Sequence, residues 1–329
     1  MSMQTSQGRF PPPPGLVKSL VSGFDSVSSH VLVILPPVLL DLFLWFGPRL
    51  RLKGFLQPFL DNLPGIAGAF PSGLPDLPTV LTVWKTFAEQ FNLFILMRTF
   101  PVGTTSLFGL TGMLKNPLWT PLSLDAGSFG GILGWAVLLV LLGWTAGTLY
   151  YYWVSRVALN PQMLSLWRTL KQVVVLSIIW MILLLFLSLP LLLLLSVLAV
   201  LSPVIAQVGT IAVLILLAWL LMPIFFSPHG IFSMQQDALR SILASLRMVR
   251  FTLPNTGLFL LAFVLINQGL NLLWNTPAQD SWWLLVGIAG HAFISTALLA
   301  SSFIYYRDIN AWLKVIFEQL QQQADTAKV

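Results

Sequence analysis

QVVVLSIIWMILLLFLSLPLLLLLSVLAVL, residues Gln172–Leu201, runs for thirty positions without an Asp, Glu, Lys or Arg. A bilayer core takes about 20 apolar residues of helix, so this stretch is long enough to span it, with Pro190 as an expected kink. Leucine runs such as Leu191 to Leu195 do not alternate, which excludes the roughly ten-residue alternating segments of a membrane β-barrel.

Five further stretches read the same way. Ser202-Pro203 turns the chain into Val204–Phe226. Upstream lie Phe129–Tyr152 and Val31–Gly47, the latter containing Pro36 and Pro37. Downstream lie Pro254–Trp274 and Trp282–Tyr306. The predicted fold is all-α, a polytopic transmembrane helical bundle of about six spans. Composition agrees: 57% of the 329 residues are hydrophobic and 9% charged, against roughly 25% charged in soluble domains. That excludes a soluble globular domain and a disordered chain. Cys is absent, which excludes a disulfide-knit module, thiol chemistry and cysteine-ligated metal centres.

Basic residues set the expected orientation. Arg156, Arg168 and Lys171 follow the second span, Arg240, Arg247 and Arg250 precede the fifth, and Arg307, Lys314 and Lys328 lie in the tail. The connections at Pro203 and from Asn275 to Ser281 have no Lys or Arg. This bias places the tail and the basic segments in the cytoplasm, and six spans place the N-terminus there too. Tyr150 to Trp153, Tyr305 and Tyr306 then mark the inner edge, and Trp274, Trp282 and Trp283 the outer one. Arg49, Arg51 and Lys53 run against this scheme, directly after the first span. Either the long external segment behind them weakens the rule, or the first span enters and returns on one side.

The parts between are read by pattern. Residues 1–15 form a polar, Pro-rich leader expected to be disordered. Residues 16–53 combine an interfacial helix, with Leu16, Leu20, Phe24 and Val27 on its apolar stripe, and the first span. Residues 54–128 have a Pro/Gly-rich pattern predicting an extracytoplasmic helical cap. In it Val80, Trp84, Phe87, Ala88, Phe91 and Phe94 share a face, with Lys85 and Glu89 as an i,i+4 pair. Residues 129–306 hold five spans. Among them an elbow helix, 233–250, opens on a Ser233/Gln236 capping box and sets Leu239, Ile242, Leu243, Leu246 and Val249 against Arg240, Arg247 and Arg250. These arginines are expected to contact lipid headgroups; a docking helix for a cytoplasmic partner is the other reading. The tail, 307–329, is amphipathic through Leu320 and expected to fray after Gln321.

Candidates for chemistry are few. Asp41 is an intramembrane acid, costly at mid-bilayer, expected to pair toward Arg49 or the interface. His291 lies deep in the sixth span, with Gly287 and Gly290 leaving room beside it. It reads as an interhelical hydrogen bond or, as a cofactor-binding alternative, an axial ligand to a haem or chlorin. Asn267, Gln268, Asn271 and Asn275 line the outer half of the fifth span, either as a polar cavity for a solute or as a helix joint. Gly130/Gly134 and Gly143/Gly147 are close-packing motifs, as are Ala292, Thr296 and Ala300. No phosphate loop, HExxH zinc pattern or nucleophile elbow is present, so no catalytic or metal-binding residue is assigned and no cofactor is required. The positive charge suits anionic lipid and not nucleic acid.

DALRSILASLRMVRFTLPNTGLFLLAFVLI, Asp237–Ile266, resembles a pattern of bacterial polytopic proteins similar to the membrane domain attached to some glycerophosphodiester phosphodiesterases. Ala238 and Ser241 occupy the matching positions on an amphipathic helix before a span. The resemblance implies a bacterial inner-membrane setting and carries no catalytic residue over. The function expected is structural or accessory: organising membrane lipids, or serving beside other membrane subunits. A permease component using the span-five amides is the alternative.

Overall fold

The computed structural model describes residues 11–67, 77–109, 115–160 and 165–326. Nine α-helices lie among them: α1 Leu16–Ser29, α2 Leu35–Phe46, α3 Lys53–Ala67, α4 Leu77–Gln90, α5 Phe129–Leu159, α6 Leu166–Leu201, α7 Pro203–Met234, α8 Ala238–Trp274 and α9 Leu284–Thr326. Two three-residue strands, β1 Arg49–Arg51 and β2 Ser123–Asp125, pair in parallel with Leu50 opposite Leu124. The protein is an all-α, multi-pass membrane helical protein. Helices α5 to α9 are each long and apolar enough to cross. The first expected span, Val31–Gly47, corresponds to a 3-10 turn at Val31–Ile34 followed by α2; it is short, and it is bent away from the preceding α1, so α1 and this piece together make a sixth crossing at most.

The chain divides into two compact units. One comprises Leu32–Tyr151 and Gln268–Ser295. Its core gathers Leu40, Leu44 and Trp45 of α2, Leu50 of β1, Phe94, Leu107, Phe108, Leu139 of α5, and Leu284 and Ile288 of α9. The fully buried Trp45 donates its Nε1 hydrogen to the carbonyls of Lys115 and Gln279, both at 2.9 Å. The second GxxxG motif explains how α5 packs here. A Cβ on Gly147 would lie 2.7 Å from Gly103 Cα, and one on Gly143 2.7 Å from Thr99 Cγ2. The small residues therefore admit an irregular segment, Met97 to Gly103, rather than a second α-helix, while Gly130 and Gly134 face open space.

In the cap, Lys85 and Glu89 do not pair with each other. Lys85 reaches Asp61 at 3.6 Å and Glu89 reaches Lys53 at 3.1 Å, two ion pairs that tie α4 to α3. Trp84, Phe87 and Phe91 form a ring series and Ala88 is buried; the side chain of Val80 falls outside those described. Arg49 and Arg51 are half-buried strand residues. Burial and the neighbouring Arg51 lower the Arg49 guanidinium from its ordinary value.

The other unit comprises 11–31, 152–267 and 296–326 of the described residues. Tyr305, Tyr306, Ile309 and Leu313 of α9 pack with Phe226 of α7 and with Met248, Val249 and Phe259 of α8. Ser19, Gly23 and Val27 are the buried residues of α1. A Cβ on Gly23 would come within 2.6 Å of Ser301 Cα, so only glycine fits. Leu16 and Leu20 of the expected stripe line the rim of this core.

Three boundaries differ from the sequence pattern. The Ser233/Gln236 capping box does not form, because α7 runs on to Met234 and ends on a left-handed Gln235. Ser233 instead donates to the His229 carbonyl. The elbow begins at Ala238, whose amide is capped by Gln172 Oε1 at 2.8 Å, and bends at Thr252 (φ −125°, ψ 23°). Proline at 254 removes the amide that would serve the carbonyl four residues back. The tail does not fray at Gln321; it continues α9 to Thr326. Residues 1–10 of the expected leader lie outside the described residues, and the Pro11 carbonyl accepts from Trp312 Nε1 at 2.7 Å.

Candidate functional site

The sequence-flagged polar residues gather mostly in the unit of Leu32–Tyr151 and Gln268–Ser295. Helix α2 holds Asp41 with no exposed surface. The carboxylate does not turn toward Arg49. It accepts from Ser106 Oγ at 2.5 Å and from the Leu107 amide at 3.0 and 3.2 Å. Ser106 Oγ in turn accepts from the Phe108 amide, and Arg98 Nη1 donates to the Phe108 carbonyl at 2.5 Å. Chemically this is an anchor: a non-helical stretch, 104–108, is tolerated inside an apolar core because a carboxylate and a guanidinium satisfy its backbone.

Asn271 and His291 meet. His291 Nδ1 lies 2.7 Å from Asn271 Oδ1. With that oxygen as acceptor, Nδ1 carries the proton and Nε2 presents a lone pair. Nε2 is buried without a hydrogen-bond partner among the described residues. One turn on, Ser295 Oγ pairs with Thr105 Oγ1 at 2.9 Å. The space that Gly287 and Gly290 were expected to leave is filled by Trp274: a Cβ on Gly290 would lie 2.7 Å from its ring. Trp274 therefore packs against Gly290 of α9. The remaining amides separate from this pair. Asn275, one residue past α8, donates to the Asn271 backbone carbonyl, Asn267 is half-buried and Gln268 exposed.

Ser106, Thr105 and Arg98 are functional residues that the sequence pattern does not single out. For the two hydroxyls the signal lies in the run Thr104-Thr105-Ser106, three hydroxyls in a row.

The second unit has its own buried polar spot. His229, 1% exposed, pairs through Nε2 with Ser302 Oγ at 2.7 Å among the rings of Phe225, Phe226 and Tyr306. Trp180 Nε1 donates to Ser227 Oγ at 2.9 Å, and Ser241 donates to the Ser227 carbonyl. The elbow therefore docks by its small residues, Ala238, Ser241 and Ser245, all buried. That leaves Leu239 and Leu243 outward at 64% and 62% exposure. Arg240, Arg247 and Arg250 are exposed, and none forms an ion pair among the described residues. No group of three or more His, Asp or Glu side chains is placed to hold a metal among the described residues.

Compared with family models, curated proteins and solved structures, the chain matches none.

Proposed function

We propose that the chain is a non-enzymatic, accessory protein of a cytoplasmic membrane, with both termini in the cytoplasm, working among lipids and other membrane subunits. The observation that carries this reading is the α6–α7 hairpin. Only 6% of the apolar window of α6 and 11% of that of α7 is buried, against 67% for α9. Phe186, Leu193, Val204 and Ile215 are each at least two-thirds exposed. A helix in a bundle normally buries one stripe, whereas this pair leaves nearly its whole circumference to neighbours. Lipid tails offer no hydrophobic drive to cover it, so lipid or another subunit surrounds it. The nine-to-none basic bias supports the orientation. The likeness of Asp237–Ile266 to the membrane domain of some glycerophosphodiester phosphodiesterases is in keeping with a bacterial inner membrane.

The test is a photo-reactive residue at Phe186 or Leu193 in intact membranes. Adducts with one polypeptide of defined mass are expected for a subunit, and adducts with lipid alone narrow the role to lipid organisation. A purified chain that turns over a substrate or moves a solute unaided contradicts the reading.

A second reading, a permease component, is favoured by the Asn271–His291 pair and by Nε2, which has no hydrogen-bond partner among the described residues. Uptake lost on Asn271→Leu, with insertion unchanged, would support it.

A further inference from the structure

Helix α8 bends at Thr252, where the Thr252–Pro254 break separates the elbow from the rest of the helix, and α7 carries Pro223 within its length. Between the elbow and this part of α7 lies a cleft of about 630 Å³, within the size range of specific small-molecule sites. Trp219 and Pro223 of α7 and Leu243 and Leu246 of the elbow line it, and Arg247 and Arg250 belong to the same wall. Apart from the two guanidiniums the lining is apolar. We propose that this cleft is a built site for one anionic phospholipid, an acyl chain lying between Trp219 and the elbow leucines and the phosphate diester held by Arg247 and Arg250.

The chemistry selects that occupant. The two arginines stand i,i+3 on one helix and so on neighbouring positions of one face. Guanidiniums present forked donors that match phosphate oxygens, and neither is engaged by a carboxylate among the described residues. Arg250 lies 5.8 Å from the centroid of the Phe251 ring, a contact that leaves its donors free. Lining of this kind, a long apolar wall ending in two cations, suits an amphiphile whose charge sits at one end of a hydrocarbon. A free phosphate would leave the apolar wall unused, and a zwitterionic lipid would bring an ammonium against the arginines. The wall residues Trp219 and Pro223 belong to an apolar helix of membrane-spanning length, and the arginines to the segment that precedes the next one. Basic pockets between helices at a cytoplasmic surface are known to select anionic headgroups. The proposal concerns lipid selectivity at one place and does not depend on whether the α6–α7 hairpin meets a partner subunit.

The experiment uses the full-length chain in nanodiscs containing equal phosphatidylglycerol and phosphatidylcholine, released into detergent for native mass spectrometry. One phosphatidylglycerol retained per chain is expected. In the Arg247→Gln/Arg250→Gln variant retention should fall about tenfold or more, as for loss of charge-assisted hydrogen bonds, while Lys314→Gln, an exposed tail cation away from the cleft, leaves it unchanged. Phosphatidylglycerol with a diazirine on its acyl chain should label peptides containing Trp219 or Leu243–Leu246, a readout that needs no variant. Equal retention of both lipids would overturn the proposal. So would unchanged retention in a double variant that still folds, labelling spread evenly over the spans, or displacement of the lipid by inorganic phosphate alone.

Discussion

Asp41 and His291 are the two residues whose surroundings say most about how this chain tolerates polarity in an apolar interior. Asp41 is the acceptor for a hydroxyl and a backbone amide. Replacing it by leucine leaves the Leu107 amide buried and unpaired, at a cost of about 1–3 kcal/mol. Asp41→Asn keeps an acceptor oxygen and should lose less than half as much. Midpoints of SDS-induced unfolding of the two variants test the ordering, and equal midpoints would remove the anchoring role. The Asn271–His291 pair is a joint of ordinary strength. A double-mutant cycle over Asn271→Leu and His291→Leu should give a coupling of about 0.6 kcal/mol and no more than about 1.7 kcal/mol. A null coupling would mean that the 2.7 Å contact is not formed in the bilayer.

Element boundaries depend on tertiary partners as much as on local pattern. Five of the six expected spans correspond to long helices because uninterrupted apolar runs leave the backbone no other way to satisfy itself in lipid. The first is shorter than the others: a 3-10 turn at Val31–Ile34 leads into α2, whose first turn holds Pro36 and Pro37. The capping box at Ser233 was locally sound, yet Gln172 from another helix supplies the cap at Ala238, and no local window contains that residue. The same holds for the site. Residue type and depth point to Asp41, Asn271 and His291, but spacing does not show which of them meet, since their partners lie 20 to 66 positions away. Glycine illustrates the difference at one helix. Gly147→Leu should destabilise the protein by about 1–3 kcal/mol through overpacking against Gly103, while Gly134→Leu, with nothing near its Cβ, should be close to neutral. Thermal unfolding in one detergent compares them. Equal losses would show that α5 packs by a different face.

At the scale of the whole molecule, a chain with 17 basic and 11 acidic residues in 329 is held together by its solvent. Its helices are satisfied internally and its surfaces are left apolar wherever lipid or a neighbour covers them. The uncovered α6–α7 hairpin is the extreme case, and the two arginines beside the α7–α8 cleft are the place where the surface becomes selective. All of this requires that the long helices cross. The native chain has no cysteine, so an introduced one reports alone. Single cysteines at Arg240 and at Gln279, flanking the apolar length of α8, are to be probed with a membrane-impermeant thiol reagent in sealed vesicles of each orientation. The account predicts that the two label from opposite faces, position 240 from the cytoplasmic side. Labelling of both from the same face would contradict it.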